Sequence, residues 1–203
     1  MEDAPEIEWW SEERIEASMQ DTLARRIPSE PVWLFAYGSL IWNPLFQFVE
    51  SCPALLEGWR RSFCIRLTIA RGSIDHPGRM MSLAKGGQTA GLALRLNEAD
   101  LEQELKLVWR REMVGGAYKP DWAEVGLADD HRVQALIFTA DPASAVHEAD
   151  DSVDTVAPII ATAQGPLGSN RDYVRQLDNA LRSHHIEDDY ITTLANRLIA
   201  DPL

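Results

Sequence analysis

The run Val32-Trp33-Leu34-Phe35-Ala36-Tyr37 constrains the fold of this chain more than any other segment. Six apolar residues without polar alternation read as a strand buried on both faces, so its sheet must be covered on each side. The run stops at Gly38-Ser39, a turn signal. Downstream, Phe63, Ile65 and Leu67 alternate with Cys64, Arg66 and Thr68 as a second strand. Residues 80–84 and 89–96 flank Gly86-Gly87 as the arms of a hairpin, and 118–126 and 132–140 read as extended. A loop rich in turn formers spans 71–78.

Helical patterns bracket these strands. Ser11 caps a helix over 11–26, with Glu12 and Glu13 suited to its first turn, Arg25 and Arg26 to its last, and Ile15, Met19, Thr22 and Leu23 on one face. After an acidic linker at 147–154 come three more, at 154–163, 170–183 and 189–200. A strand-rich middle with helices at both ends is α+β. At 203 residues the chain is one domain, divided here into an N-terminal helical extension, 1–30, and a main domain, 31–203.

Composition excludes several functions. With 32 acidic against 19 basic side chains and a formal charge of −13, a nucleic-acid partner is not expected. No stretch reaches the roughly 18 apolar residues of a membrane span, and the acidic start lacks the features of a secretory signal. Cys52 and Cys64 form no CxxC or Cys/His pair at metal spacing, and the other acidic runs and histidines fit no metal site. These features predict a reduced, cytoplasmic protein without metal or cofactor.

Candidate chemistry sits on a central helix, 98–113, opened by Asn97 and ended by Gly115-Gly116. Leu101, Leu105, Val108 and Trp109 form its apolar stripe, while Glu102, Glu104, Lys106, Arg110 and Arg111 fall on other faces. Continuing the stripe lands on Glu112, an inward carboxylate in the last turn. Burial and the negative end of the helix dipole both raise its pKa, as a general base near neutral pH requires. A salt bridge to an arginine, or an exposed helix end, fits the same position. The turn Tyr37-Gly38-Ser39-Leu40 either presents backbone amides to an anion or is simply a turn. Ser39 lacks the surroundings of a hydrolase nucleophile.

Five segments, in order from residue 32 to 195, together resemble the ChaC-type γ-glutamylcyclotransferases. They are Phe35-Ala36-Tyr37-Gly38-Ser39-Leu40-Ile41-Trp42-Asn43-Pro44, Glu57-Gly58-Trp59-Arg60-Arg61-Ser62-Phe63, Arg71-Gly72 with Pro77-Gly78, Arg111-Glu112-Met113 followed by Tyr118, and Gly165-Pro166-Leu167-Gly168-Ser169-Asn170-Arg171-Asp172-Tyr173. The resemblance implies a small mixed β-barrel with surrounding helices and cleavage of glutathione to 5-oxoproline and cysteinylglycine. It implies Glu112 as acid/base, and Tyr37, Gly38, Ser39 and Leu40 as the loop around the γ-glutamyl group, with Arg71 and Tyr118 as further substrate contacts. Arg66, Arg71 and Arg79 are either local positive charge for an anionic tripeptide or surface ion-pair residues. Two rival functions are a cyclotransferase for other γ-glutamyl amino acids or amines, and a non-catalytic module binding a γ-glutamyl ligand.

Overall fold

The computed structural model describes residues 9–200; the acidic start at 1–8 and residues 201–203 lie outside the described residues. Strand β1 (Trp33–Ala36) is buried along its whole length, as its unbroken apolar sequence requires. It pairs antiparallel with β3 (Gly78–Arg95) and parallel with β5 (Arg132–Ala140). With β2 (Glu50–Leu67) and β4 (Tyr118–Leu127) these strands close a barrel in the order β1-β3-β2-β4-β5. A closed barrel leaves no free sheet edge and gives β1 neighbours on both sides.

The helices cover this barrel. Ser11 caps α1 (Glu12–Leu23) through its Oγ, which accepts from the Arg14 amide at 3.3 Å, and Ile15, Met19 and Thr22 turn inward. Arg25 and Arg26 fall beyond the helix end and pair instead with Asp121 and Glu98. Helix α2 is Leu101–Glu112, three residues shorter at its start than expected, because Asn97 forms a turn with Ala99 and Asp100 ahead of it. Its stripe of Leu101, Leu105, Val108 and Trp109 is buried, with the Trp109 ring edge-on to Phe138 at 5.2 Å. Helices α3 (Val153–Thr162), α4 (Asn170–Ser183) and α5 (Asp189–Ala200) match the expected spans closely. A two-strand turn, β6 (Gln164–Gly165) with β7 (Gly168–Ser169), joins α3 to α4.

Three expectations fail. Gly86-Gly87 is not a hairpin, since β3 runs straight through it. The pairs Glu57↔Gln88 and Trp59↔Lys85 set Gly58 opposite both glycines, a bulge at which φ is +78°, +102° and +69°. Both strands bend together there, and the chain reverses at 68–77 instead. A second bulge at Phe63-Cys64 breaks the expected alternation: Phe63 enters the main core, whereas Cys64 and Ile65 pack in a small cluster with Ala140 and Val146. Finally, part of 147–154 is docked rather than a free linker, with the Glu148 amide bonded to the Cys64 carbonyl and Asp151 paired to Arg60.

Candidate active site

Helix α2 ends at Glu112, and the stripe that buries Trp109 turns this carboxylate towards a cavity of about 400 Å³. Its side chain is 14% exposed, and among the described residues its one ionic partner is the neighbouring Arg111, with Nε 3.1 Å from Oε1. Burial raises the Glu112 pKa, and the Arg111 charge opposes the rise without cancelling it. The inward carboxylate read from periodicity is therefore present, and so is the arginine contact that was its rival.

β1 delivers Tyr37 and Gly38 to the same cavity. A Cβ on Gly38 would stand 2.8 Å from Met81 Cε, the mobile end of that side chain, and 3.2 Å from the Tyr173 hydroxyl. A single 3₁₀ turn, Ser39–Ile41, follows, closed by the Ile41 amide on the Gly38 carbonyl at 2.9 Å. The amides of Ser39 and Leu40 precede that first bond and have no acceptor within the turn. Ser39 Oγ accepts from the Arg111 guanidinium at 2.6 Å, and no histidine lines the cavity. Those contacts make Ser39 a poor nucleophile.

Two more walls complete the site. Tyr118 opens β4 and donates to the Met81 carbonyl at 2.9 Å. Arg71 leaves the 68–77 loop, donates to the Ser169 carbonyl at 3.0 Å and lies over the Tyr173 ring at 5.9 Å. Ser169 caps α4 by accepting from the Asp172 amide at 3.0 Å, so Arg71 and Tyr173 are held by one helix start. Burial raises the pKa of Tyr37, Tyr118 and Tyr173, and the Glu112 charge adds to each shift. All three phenols stay protonated, with the Tyr37 and Tyr118 hydroxyls donating to the Phe138 and Met81 carbonyls.

Tyr37, Gly38, Ser39, Leu40, Arg71, Glu112 and Tyr118, all singled out from sequence, line one cavity. Arg66 and Arg79 do not; they share Glu148 at 3.6 and 3.4 Å. Arg111, placed on another face by periodicity, instead reaches Ser39, the Asn43 carbonyl and Glu112. Tyr173 and Met81 were missed as lining residues. Tyr173 belongs to the Gly165–Tyr173 segment and was within reach; Met81 carries no local signal. Among the described residues no group of three His, Cys, Asp or Glu is placed to hold a metal, and no helix is long and apolar enough to cross a membrane.

The chain is 47% identical to a glutathione-specific γ-glutamylcyclotransferase of Escherichia coli K12, over 91% of this chain and 80% of that protein. It is 28% identical to a human glutathione-specific γ-glutamylcyclotransferase 1, over 82% and 78% of the two chains. A yeast γ-glutamyl cyclotransferase specific to glutathione has the same fold, with a TM-score of 0.78 at 20% identity over 86% of this chain and 98% of that one. The family described as ChaC-like protein matches residues 32–200. With its barrel, its helices and nearly all of its length accounted for in this way, the chain belongs to the ChaC-like family.

Proposed function

We propose that this protein is a γ-glutamylcyclotransferase that cleaves glutathione to 5-oxoproline and cysteinylglycine. The observation that carries the reading is Glu112, a carboxylate of raised pKa facing the cavity that the Tyr37–Leu40 turn also lines. The E. coli relative, whose name states this specificity, supports the substrate.

The reaction is intramolecular, so the protein supplies conformation and proton transfer. The γ-glutamyl α-ammonium gives a proton to Glu112, and the freed amine attacks the side-chain carbonyl carbon to close a five-membered ring. The carbonyl oxygen becomes an oxyanion, for which the Tyr173 hydroxyl offers a donor, those of Tyr37 and Tyr118 being given to the Phe138 and Met81 carbonyls. As the intermediate collapses, the bond to the cysteine nitrogen breaks, Glu112 returns its proton to that departing amine, and the ring nitrogen gives up the second of its two hydrogens to the same amine or to water, leaving a neutral lactam. One carboxylate thus acts as base and then acid. The amides of Gly38 to Leu40 hold the α-carboxylate, and Arg71 takes the second carboxylate of the tripeptide.

The same proposal divides the chain into an extension at 1–30 and a cyclotransferase domain at 31–203; the family match beginning at residue 32 supports that boundary. It places the protein in the cytoplasm, where reduced glutathione is abundant and free thiols such as Cys52 and Cys64 persist. The test is to incubate the purified protein with glutathione, without metal or nucleotide, and to assay 5-oxoproline. Absence of 5-oxoproline rejects the reaction. Equal turnover of γ-glutamyl-alanine rejects the restriction to glutathione.

A further inference from the structure

Arg61 stands behind the cavity wall and has no part in the chemistry above. It is 2% exposed and does not line the cavity, yet every face of its guanidinium has a partner. Nε donates to the Tyr37 carbonyl at 2.8 Å, and the terminal nitrogens donate to the Ala90 carbonyl at 2.6 Å and to Asp188 Oδ2 at 2.7 Å. Asp188 is itself anchored, its Oδ1 accepting from the Ile191 amide at 3.0 Å in the first turn of α5. A buried cation this fully satisfied is fixed in one geometry.

The register of β1 against β3 gives that geometry a purpose. Pairing runs from Trp33↔Arg95 to Ala36↔Leu92, and the Leu96 amide bonds to the Val32 carbonyl at 3.0 Å. Bonded pairs recur at every second residue of an antiparallel ladder, so the pair after Ala36 and Leu92 is Gly38 with Ala90. The ladder stops one step short of it. Arg61 holds the Ala90 carbonyl that Gly38 N–H would otherwise use. Because the described peptides include no cis bond, the Gly38 N–H points away from the Tyr37 carbonyl that Arg61 also holds.

We infer that Arg61 is the positioning residue of the substrate turn, releasing the Gly38 N–H from the sheet and aiming it at the α-carboxylate of the substrate. A carbonyl that accepts from a cation polarises its own peptide, which makes the N–H of that peptide a stronger donor. Asp188 fixes the cation and ties it to α5. The inference rests on the proposed role of the turn as the carboxylate cradle.

The test compares glutathione with its analogue in which the γ-glutamyl α-carboxylate is a carboxamide. Turnover of both by the wild type, Arg61→Lys and Arg61→Gln is measured beside thermal unfolding. The wild type should prefer the carboxylate. Arg61→Gln should lose about ten- to a hundredfold in kcat/KM on glutathione, mostly through KM, and less than about threefold on the carboxamide. Arg61→Lys keeps a cation beside Asp188, so it decides the matter should the Gln variant not fold; on glutathione it should fall between the two, with a smaller but still selective loss of the preference for the carboxylate. A purely structural arginine would depress both substrates alike, and that outcome overturns the inference. Wild-type indifference to the carboxamide would instead overturn the cradle itself, and the inference with it. If the wild type prefers the carboxylate and the Arg61 variants keep that preference, the inference alone fails.

Discussion

Helix α2 carries two inward carboxylates eight residues apart, Glu104 in its first turn and Glu112 at its end, and their surroundings differ in every respect that matters for reactivity. Glu104 accepts from the Gln47 amide at 2.7 Å and sits where the helix dipole favours a negative charge. Glu112 lies where the dipole opposes one, has among the described residues only Arg111 for an ionic partner, and lines a cavity. Facing inward does not by itself make a reactive group. A carboxylate bonded to a neighbouring backbone amide ties a loop to the helix, whereas one left partly unsatisfied at a cavity wall is free to exchange a proton.

The widest gap between the two ends is expected in turnover. Glu112→Gln keeps shape but cannot accept the ammonium proton, and should lower kcat by roughly 100- to 10,000-fold with the fold retained. Glu104→Gln should leave kcat within about threefold, because its oxygen still accepts from Gln47. Steady-state kinetics with circular dichroism on both variants decides it. Similar losses from the two would erase the distinction.

The reactive end is completed by a segment from another strand, and the next effect in size tests that partnership. Gly38→Val introduces a Cβ 2.8 Å from Met81 Cε, and should cost about a hundredfold in kcat/KM by displacing the turn. Ser39→Ala loses one bond from Arg111 and should cost only a few-fold. A dead Ser39→Ala enzyme, or a covalent adduct trapped on Ser39, would replace the carboxylate mechanism with a serine one.

Acidification offers a graded version of the same test. The carboxylate must be ionised to act as base, so the rate should fall about tenfold per pH unit below its pKa, on a limb lying above the ordinary ~4.3. The pH profile of kcat/KM measures it. Persistence of the limb unchanged in Glu112→Gln would assign the proton to another group.

What could be read from sequence follows from the range of the interactions involved. Leu101, Leu105, Val108 and Trp109 repeat at helical spacing, and extrapolating them to Glu112 needed only local geometry. Glu104 lies within reach of the same reasoning, three residues after Leu101 and four before Val108, and only its bond to Gln47, 57 residues earlier in the chain, is non-local. Arg111 escaped it because a long side chain reaches round a helix end to Ser39 and Asn43. Gly86-Gly87 carries a genuine signal for positive φ, but a hairpin and a bulge use the same dihedrals. Only Gly58 on the facing strand makes it a bulge, and pairing across strands is not a local property. The individual segments of the family pattern follow the same rule: Gly165–Tyr173 is near the cavity because the Leu167 amide bonds to the Ala70 carbonyl at 2.8 Å.

The smallest expected effect is on stability, and there the two carboxylates should differ in sign. A folded-state pKa raised above the unfolded value means that the fold prefers Glu112 protonated, so its ionisation opposes folding. That opposition is absent below the unfolded pKa of about 4.3, grows as pH rises through the folded pKa, and is complete above it. Glu112→Gln removes the charge, so the variant should unfold at a higher temperature than the wild type at neutral pH, with the gap closing as the solution is acidified. Glu104→Gln weakens a charge-assisted bond to a backbone amide and should lose about 1 kcal/mol at neutral pH. Thermal unfolding of both variants over a pH series reads the two signs together. Destabilisation by Glu112→Gln at neutral pH would mean that the contact with Arg111 outweighs the cost of burial. Glu112 would then be a second structural carboxylate on the helix, and the general base would have to be sought elsewhere in the cavity.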